Sequence, residues 1–121
     1  VYGLVAVARE QAQAAAANMV EAKSKVYTGT MPSTRLKIAG LAFNALGEST
    51  LDGDGVTVLR VSEPEKGRYE RLAIKDGKVV GAIVFGDNRR SLAFKKLITK
   101  GTDVSAVQDQ LLDEGFNLKS L

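Results

Sequence analysis

The 121-residue sequence contains no cysteine and no histidine. Without cysteine there is no disulfide, no dithiol redox pair and no thiolate ligand for an iron–sulfur cluster. Without histidine there is no imidazole base and no His-bearing zinc site. Metal ligation is left to carboxylates and carbonyls, and acid–base work to Asp, Glu, Lys or Tyr. No apolar run approaches the ~18 residues that a spanning helix needs. The start shows neither the charged leader nor the cleavage pattern of a secretory signal. We therefore expect a cytoplasmic protein that engages no membrane. The first residue is Val1 rather than Met, which predicts that more sequence lies upstream.

What is present reads as a globular domain. Hydrophobic residues make up 45% and charged residues 26% of the chain, the shares of an ordinary folded protein. A chain of this length buries roughly two thirds of its unfolded surface, enough for a core. The net charge of +3 is unevenly spread. Residues 60–100 hold eleven basic against five acidic groups, whereas residues 101–121 hold one against four. A basic middle suits an acidic partner or nucleic acid. We read it as the solvated face of a sheet and expect no nucleic-acid binding.

Residues 5–20 predict a helix, because Ala14–Ala17 and Met19 favour a helix interior. Its polar positions do not fill a whole solvent face, so part of its surface wants cover. Residues 23–34 form a polar connection with Gly29 and Pro32, a natural boundary. Alternation then marks strands around Leu36 and Ile38 and from Val56 to Val61, with Gly40 and Gly47 suggesting a bulge or bend between them. LDGDG (51–55) and EPEKG (63–67) read as turns. The clearest stretch is RYERLAIKDGKVVGAIVFGD, two strand runs joined by Asp76-Gly77, a favoured tight-hairpin pair. Its second run is apolar on both parities, as in a central strand covered on both faces. Two helices follow, Ser91–Lys100 ending at Gly101 and 104–114 ending at Gly115, the latter with capping-box spacing at Ser105 and Gln108 or with Asp103 as cap. The expected class is α+β: an antiparallel meander of about four strands, with an alanine-rich N-terminal helix and two C-terminal helices.

No motif amounts to a catalytic or metal centre. Asp52-Gly53-Asp54-Gly55 starts like a calcium loop, but Val56 occupies the third alternate position and no glutamate closes it, so a hairpin loop is the better reading. Gly81, Gly86 and Gly101 do not form a phosphate-cradling fingerprint. Arg89-Arg90 with Lys95, Lys96 and Lys100 has only Phe94 among it and reads as a solvated helix face. Tyr2, Tyr27 and Tyr69 are scattered, and no serine sits in a G-x-S-x-G frame.

Two stretches together resemble a known family. Y-G-L, then Glu10-Gln11 and Ala15-Ala16-Ala17-Asn18-Met19, is similar to the end of the FAD domain in flavin-dependent pyridine nucleotide(-disulfide) oxidoreductases. The branch is that of the NADH–rubredoxin reductases and the nitrite reductase large subunit. Tyr27-Thr28-Gly29 and Pro32-Ser33-Thr34-Arg35-Leu36-Lys37-Ile38-Ala39-Gly40 then resemble the signature that opens their C-terminal domain. Val80–Asp87 resembles the strand that closes its hairpin. The likeness runs in order across residues 1–100.

The resemblance implies that residues 1–22 are the terminal helix of a preceding FAD domain and 23–121 a non-catalytic C-terminal interface domain. FAD and NAD(P)H would belong to the parent enzyme, with no cofactor held by this stretch alone. Gly3, Leu4 and Val5 would lie at the flavin edge, where the positive end of the helix favours negative charge. Expected partners are the preceding domains of the same chain and a second copy, the latter through the apolar residues 1–8. The alternative is a docking module for an acidic electron-carrier protein through residues 60–100. Pro32, Gly40, Asp76, Gly77, Gly81 and Gly86 would shape the backbone.

Overall fold

The structure is a computed structural model and describes residues 3–121. Val1 and Tyr2, which belong to the Y-G-L stretch and to the apolar start, lie outside the described residues. By contacts the chain divides into two units, Val1–Pro32 and Ser33–Leu121.

The first unit is built on α1, Val5–Val20, as the alanine run predicts. Its buried positions, Val7 and Ala14, lie two turns apart on one face. The chain then turns back as a strap along the helix. Asn18 grips Lys25 at both backbone groups: its Nδ2 donates to the Lys25 carbonyl at 2.7 Å and its Oδ1 accepts from the Lys25 N–H at 3.1 Å. The Ser24 hydroxyl donates to the Ala17 carbonyl at 2.8 Å, at the helix end.

The second unit is a five-stranded antiparallel sheet with one α-helix. Its strands are β1 Ser33–Ile38, β2 Leu41–Gly47, β3 Val56–Glu63, β4 Arg68–Lys75 and β5 Lys78–Phe85, and α2 is Asn88–Lys100. There is one strand more than the sequence pattern counts. Ala39-Gly40, with φ of 49° and 81°, makes a two-residue turn rather than a bulge, so that β2 folds back on β1. Asp76-Gly77 closes the β4–β5 hairpin in the same way, with φ of 52° and 72°.

The meander is overturned by the strand order, β1-β2-β5-β4-β3. Residues 48–55 are therefore no hairpin loop but a crossover from β2 to the far edge. The crossing is close: a Cβ at Gly81 would lie 2.1 Å from the Glu48 carbonyl oxygen. Arg71 on β4 holds the crossover by donating to the carbonyls of Ser49 and Leu51. The run that is apolar on both parities, β5, lies at the centre of the sheet, between β2 and β4.

Leu46, Leu72, Val84 and Phe94 are buried together where one sheet face meets α2. Asp87 caps α2 by accepting from the Arg89 and Arg90 amides, and Gly101 ends it in the left-handed conformation. The second C-terminal helix does not form. Residues 104–114 are turns with one short 3-10 segment, Gln108–Gln110. Its backbone bonds run from i to i−3, Val107 N–H to the Val104 carbonyl at 3.0 Å and Gln110 N–H to the Val107 carbonyl at 2.9 Å. The Val104 N–H donates to the Gly77 carbonyl at 2.7 Å, and Asp103 pairs with Lys78 as a β-bridge, which ties this end to the β4–β5 hairpin. Asp103 accepts from the Ser105 N–H at 2.9 Å, and the Ser105–Gln108 capping box is not made. At the other end, Arg90 and Arg68 bind the carbonyls of Leu111, Leu112 and Asp113. No helix among the described residues is long and apolar enough to cross a membrane.

Candidate functional site

The residues expected at a flavin edge open α1. Gly3 has φ of 59°, Leu4 is extended and serves as N-cap, and Val5 begins the helix. No side chain caps this end and its first turn contains no acid. A helix start leaves its first amides without intrahelical partners and bears a partial positive charge. Gly3, Leu4, Val5 and Val7 border a concavity of about 600 Å³ that Tyr27, Gly29 and Thr30 close from the strap. Val5 is 77% exposed.

A side-chain relay that sequence reading missed positions that strap. The Thr30 hydroxyl donates to Glu10 at 2.6 Å, and its oxygen lies 2.8 Å from the Tyr27 hydroxyl. Because the single Thr30 proton goes to the carboxylate, Tyr27 donates to Thr30. Three residues from two elements thus fix one wall of the concavity. Tyr27 and Glu10 were each noted in the sequence, but a bond spanning twenty residues leaves no local signal.

In the second unit the charged residues converge on Glu70, which is fully buried on the core face of β4. Arg90 of α2 donates from Nε to Glu70 Oε1 at 2.6 Å and from Nη2 to Oε2 at 3.0 Å. Arg68 donates from Nε to the same carboxylate at 3.2 Å and from Nη1 to Glu63 at 2.9 Å. The arginines then reach the C-terminal segment. Arg90 donates to the carbonyls of Leu111 and Asp113, and Arg68 to that of Leu112. Arg90 also stacks over Phe94, 5.4 Å from the ring centre. Hydrogen bonds from Lys66 and then Arg68 hold the Glu63 carboxyl below its ordinary range, and Glu63 in turn raises the Lys66 ammonium. Burial opposes the charge on Arg68, but its bonds to Glu63 and Glu70 outweigh it and raise its pKa.

This cluster corrects the solvated-face reading of Arg89-Arg90. Only Arg89 points to solvent, while Arg90 is turned inward. Arg68, Arg71 and Arg90 all serve carbonyls or Glu70, so the basic middle offers fewer free cations than the sequence counts. Glu70 had a legible signal: it shares parity with Leu72 and Ile74, an acid in a core-facing row. Chemically the cluster is a clamp, with both carboxylate oxygens of Glu70 already engaged.

Residues 32–102, more than half of the chain, match the family described as rubredoxin NAD+ reductase C-terminal domain. The chain belongs to that family. The match covers β1 to α2 and so includes Glu70, Arg68 and Arg90, while the carbonyls of Leu111–Asp113 lie beyond it. Two proteins of Bacillus subtilis (strain 168) are similar. An assimilatory nitrate reductase electron transfer subunit is 32% identical over 113 residues, covering 93% of this chain and 14% of that protein. A nitrite reductase [NAD(P)H] is 31% identical over 104 residues, covering 86% of this chain and 13% of that protein. The chain thus spans about a seventh of these relatives' length, and both alignments exceed the second unit alone. The crystal structure of NADH:rubredoxin oxidoreductase from Clostridium acetobutylicum has the same fold, with a TM-score of 0.65 at 24% identity over 88% of this chain and 27% of that one.

Proposed function

We propose that this chain is the C-terminal part of an FAD-dependent NAD(P)H oxidoreductase, in which residues 23–121 act as a non-catalytic interface domain and α1 closes the preceding FAD domain. The observation that carries this reading is the pair of alignments to reductase subunits, which at 113 and 104 residues are longer than the second unit and so extend into the first. When bound, the flavin supplies hydride acceptance from NAD(P)H and electron delivery to an acceptor such as rubredoxin or a nitrite reductase centre. This chain's part is positional. Gly3, Leu4 and Val5 present uncapped amides to a concavity with room for one edge of a ring system. The strap held by Glu10 and Asn18 keeps that wall in place.

The sheet supports the interface role. Leu36, Phe43, Phe85 and Tyr69 stand in one cross-strand row over β1, β2, β5 and β4. They have the parity opposite to the core residue Val84, so they occupy the face turned away from α2. Such a row suits contact with another domain or a second copy. Docking of an acidic electron carrier through residues 60–100 takes second place, because three of the arginines it would use are engaged within the fold.

The full-length reductase truncated after Pro32 tests the proposal. The expected product keeps bound flavin and NAD(P)H-dependent reduction of ferricyanide but loses its native oligomeric state. Bound flavin that NAD(P)H no longer reduces would overturn the non-catalytic role. Stoichiometric flavin on the isolated 121-residue chain would do the same.

A further inference from the structure

A second surface, independent of the flavin reading, lies on the outer side of α2. Leu92, Ala93 and Leu97 floor a groove of about 460 Å³ whose far wall is Leu118 and Leu121. Leu92 is 63% exposed, unusual for a leucine in the middle of a helix that packs on a core. The rim is Arg89, Lys96, Lys100 and Lys119, and none of the lining residues is acidic. None of these four cations forms a salt bridge among the described residues. Four cations thus border an apolar slot that no acidic residue lines, whereas the cations of the Glu70 cluster are paired.

We infer that this groove receives an acidic, leucine-bearing amphipathic helix from a partner protein. A helix fits the spacing. Arg89, Lys96 and Lys100 lie at i, i+7 and i+11 on α2, so they recur along one line about 10 and 6 Å apart. A helix laid alongside offers carboxylates at the same intervals. Its leucines, on the adjoining stripe, fall between Leu92 and Leu118. This is helix-in-groove recognition, with apolar anchors for affinity and charge for register. The slot holds only a few side chains, so the partner helix remains partly solvated and the association depends on salt.

The test uses the 121-residue chain and two synthetic peptides of about 14 residues, four turns each. One bears leucines on one face flanked by glutamates; the other has the same charge with serine for leucine. A single-stranded oligonucleotide serves as a general polyanion. The leucine peptide should perturb the amides of Arg89–Lys100 and Leu118–Leu121 in NMR spectra, and bind at least about tenfold more tightly than the serine peptide, a difference of about 1.4 kcal/mol. Lys96→Glu with Lys100→Glu should abolish binding while the melting temperature stays unchanged. Lys96→Arg with Lys100→Arg should preserve it. Equal binding of the serine peptide or the oligonucleotide would overturn the inference. So would perturbations mapping to another surface, undiminished binding by the double glutamate variant, or no binding at all.

Discussion

Glu70 and Arg90 meet side-on across the core, Oε1 to Nε at 2.6 Å and Oε2 to Nη2 at 3.0 Å. The pair joins β4 to α2, and through both Nη atoms of Arg90 and through Arg68 it reaches three consecutive carbonyls of the C-terminal segment. One buried carboxylate therefore organises residues that lie 2 and 20 positions away along the chain and, through them, the 111–113 segment.

Glu70→Gln tests this. Removing the charge leaves two guanidinium groups without their buried partner, and breaking such a pair costs about 3 kcal/mol. Urea unfolding should show the midpoint falling with an unchanged slope. A loss under about 0.5 kcal/mol would show that the clamp adds no more than an exposed pair does.

The crossover over β5 makes a second prediction. At Gly81 a Cβ would meet backbone atoms of Glu48 and Ser49, which have no flexible end to yield. Gly81→Ala should destabilise by about 3 kcal/mol. Gly115→Ala, with open space around it, should stay within about 0.5 kcal/mol of the parent. Thermal melts of the two variants side by side decide it; similar behaviour would exclude the close crossing.

Acid titration should reveal Glu63 and Asp103. Bonds from Lys66 and Arg68 lower Glu63, and bonds from Ser105 lower Asp103. A lowered carboxyl stabilises the fold fully above its unfolded value, and that contribution disappears as pH falls through the lowered folded value. Stability should therefore decline below the ordinary carboxylate range, and Glu63→Gln should flatten part of that decline. Lys66 is raised, so its contribution is complete below the ordinary lysine value and is lost as pH rises through the raised one. Unfolding midpoints across the pH range check both limbs.

The strap in the first unit should open locally. Asn18→Ala removes two hydrogen bonds to Lys25, at about 1 kcal/mol each. Amide exchange at Lys25 should quicken while exchange in β4 and β5 stays unchanged. If Lys25 keeps its protection, the strap is held by other contacts.

Much of this was legible in local pattern. The alanine run marks α1, Asp76-Gly77 marks the hairpin, and Gly101 marks the end of α2. The double-parity strand also announces its central place. The second C-terminal helix failed because its signal, Val104, Val107 and Leu111 at helical spacing, is equally the signal of a segment whose apolar residues simply face the core. The segment is anchored instead by Gly77 at one end and by two arginines at the other, all distant in sequence. The proposal that Gly3, Leu4 and Val5 meet a flavin edge rests on the resemblance, since none of them has a reactive side chain.

By itself the sequence determined the elements whose cause lies within a few residues: α1, the tight turns, the glycine end of α2 and the antiparallel pairing of β4 with β5. Steric preference and short-range hydrogen bonds set these, and both are readable from neighbours along the chain. Only the tertiary structure decided the strand order, the inward turn of Arg90 and the path of residues 104–114. Each of those depends on a partner remote along the chain, Glu48 against Gly81 or Glu70 against Arg90, and burial gives such contacts their weight only once the chain has closed around them.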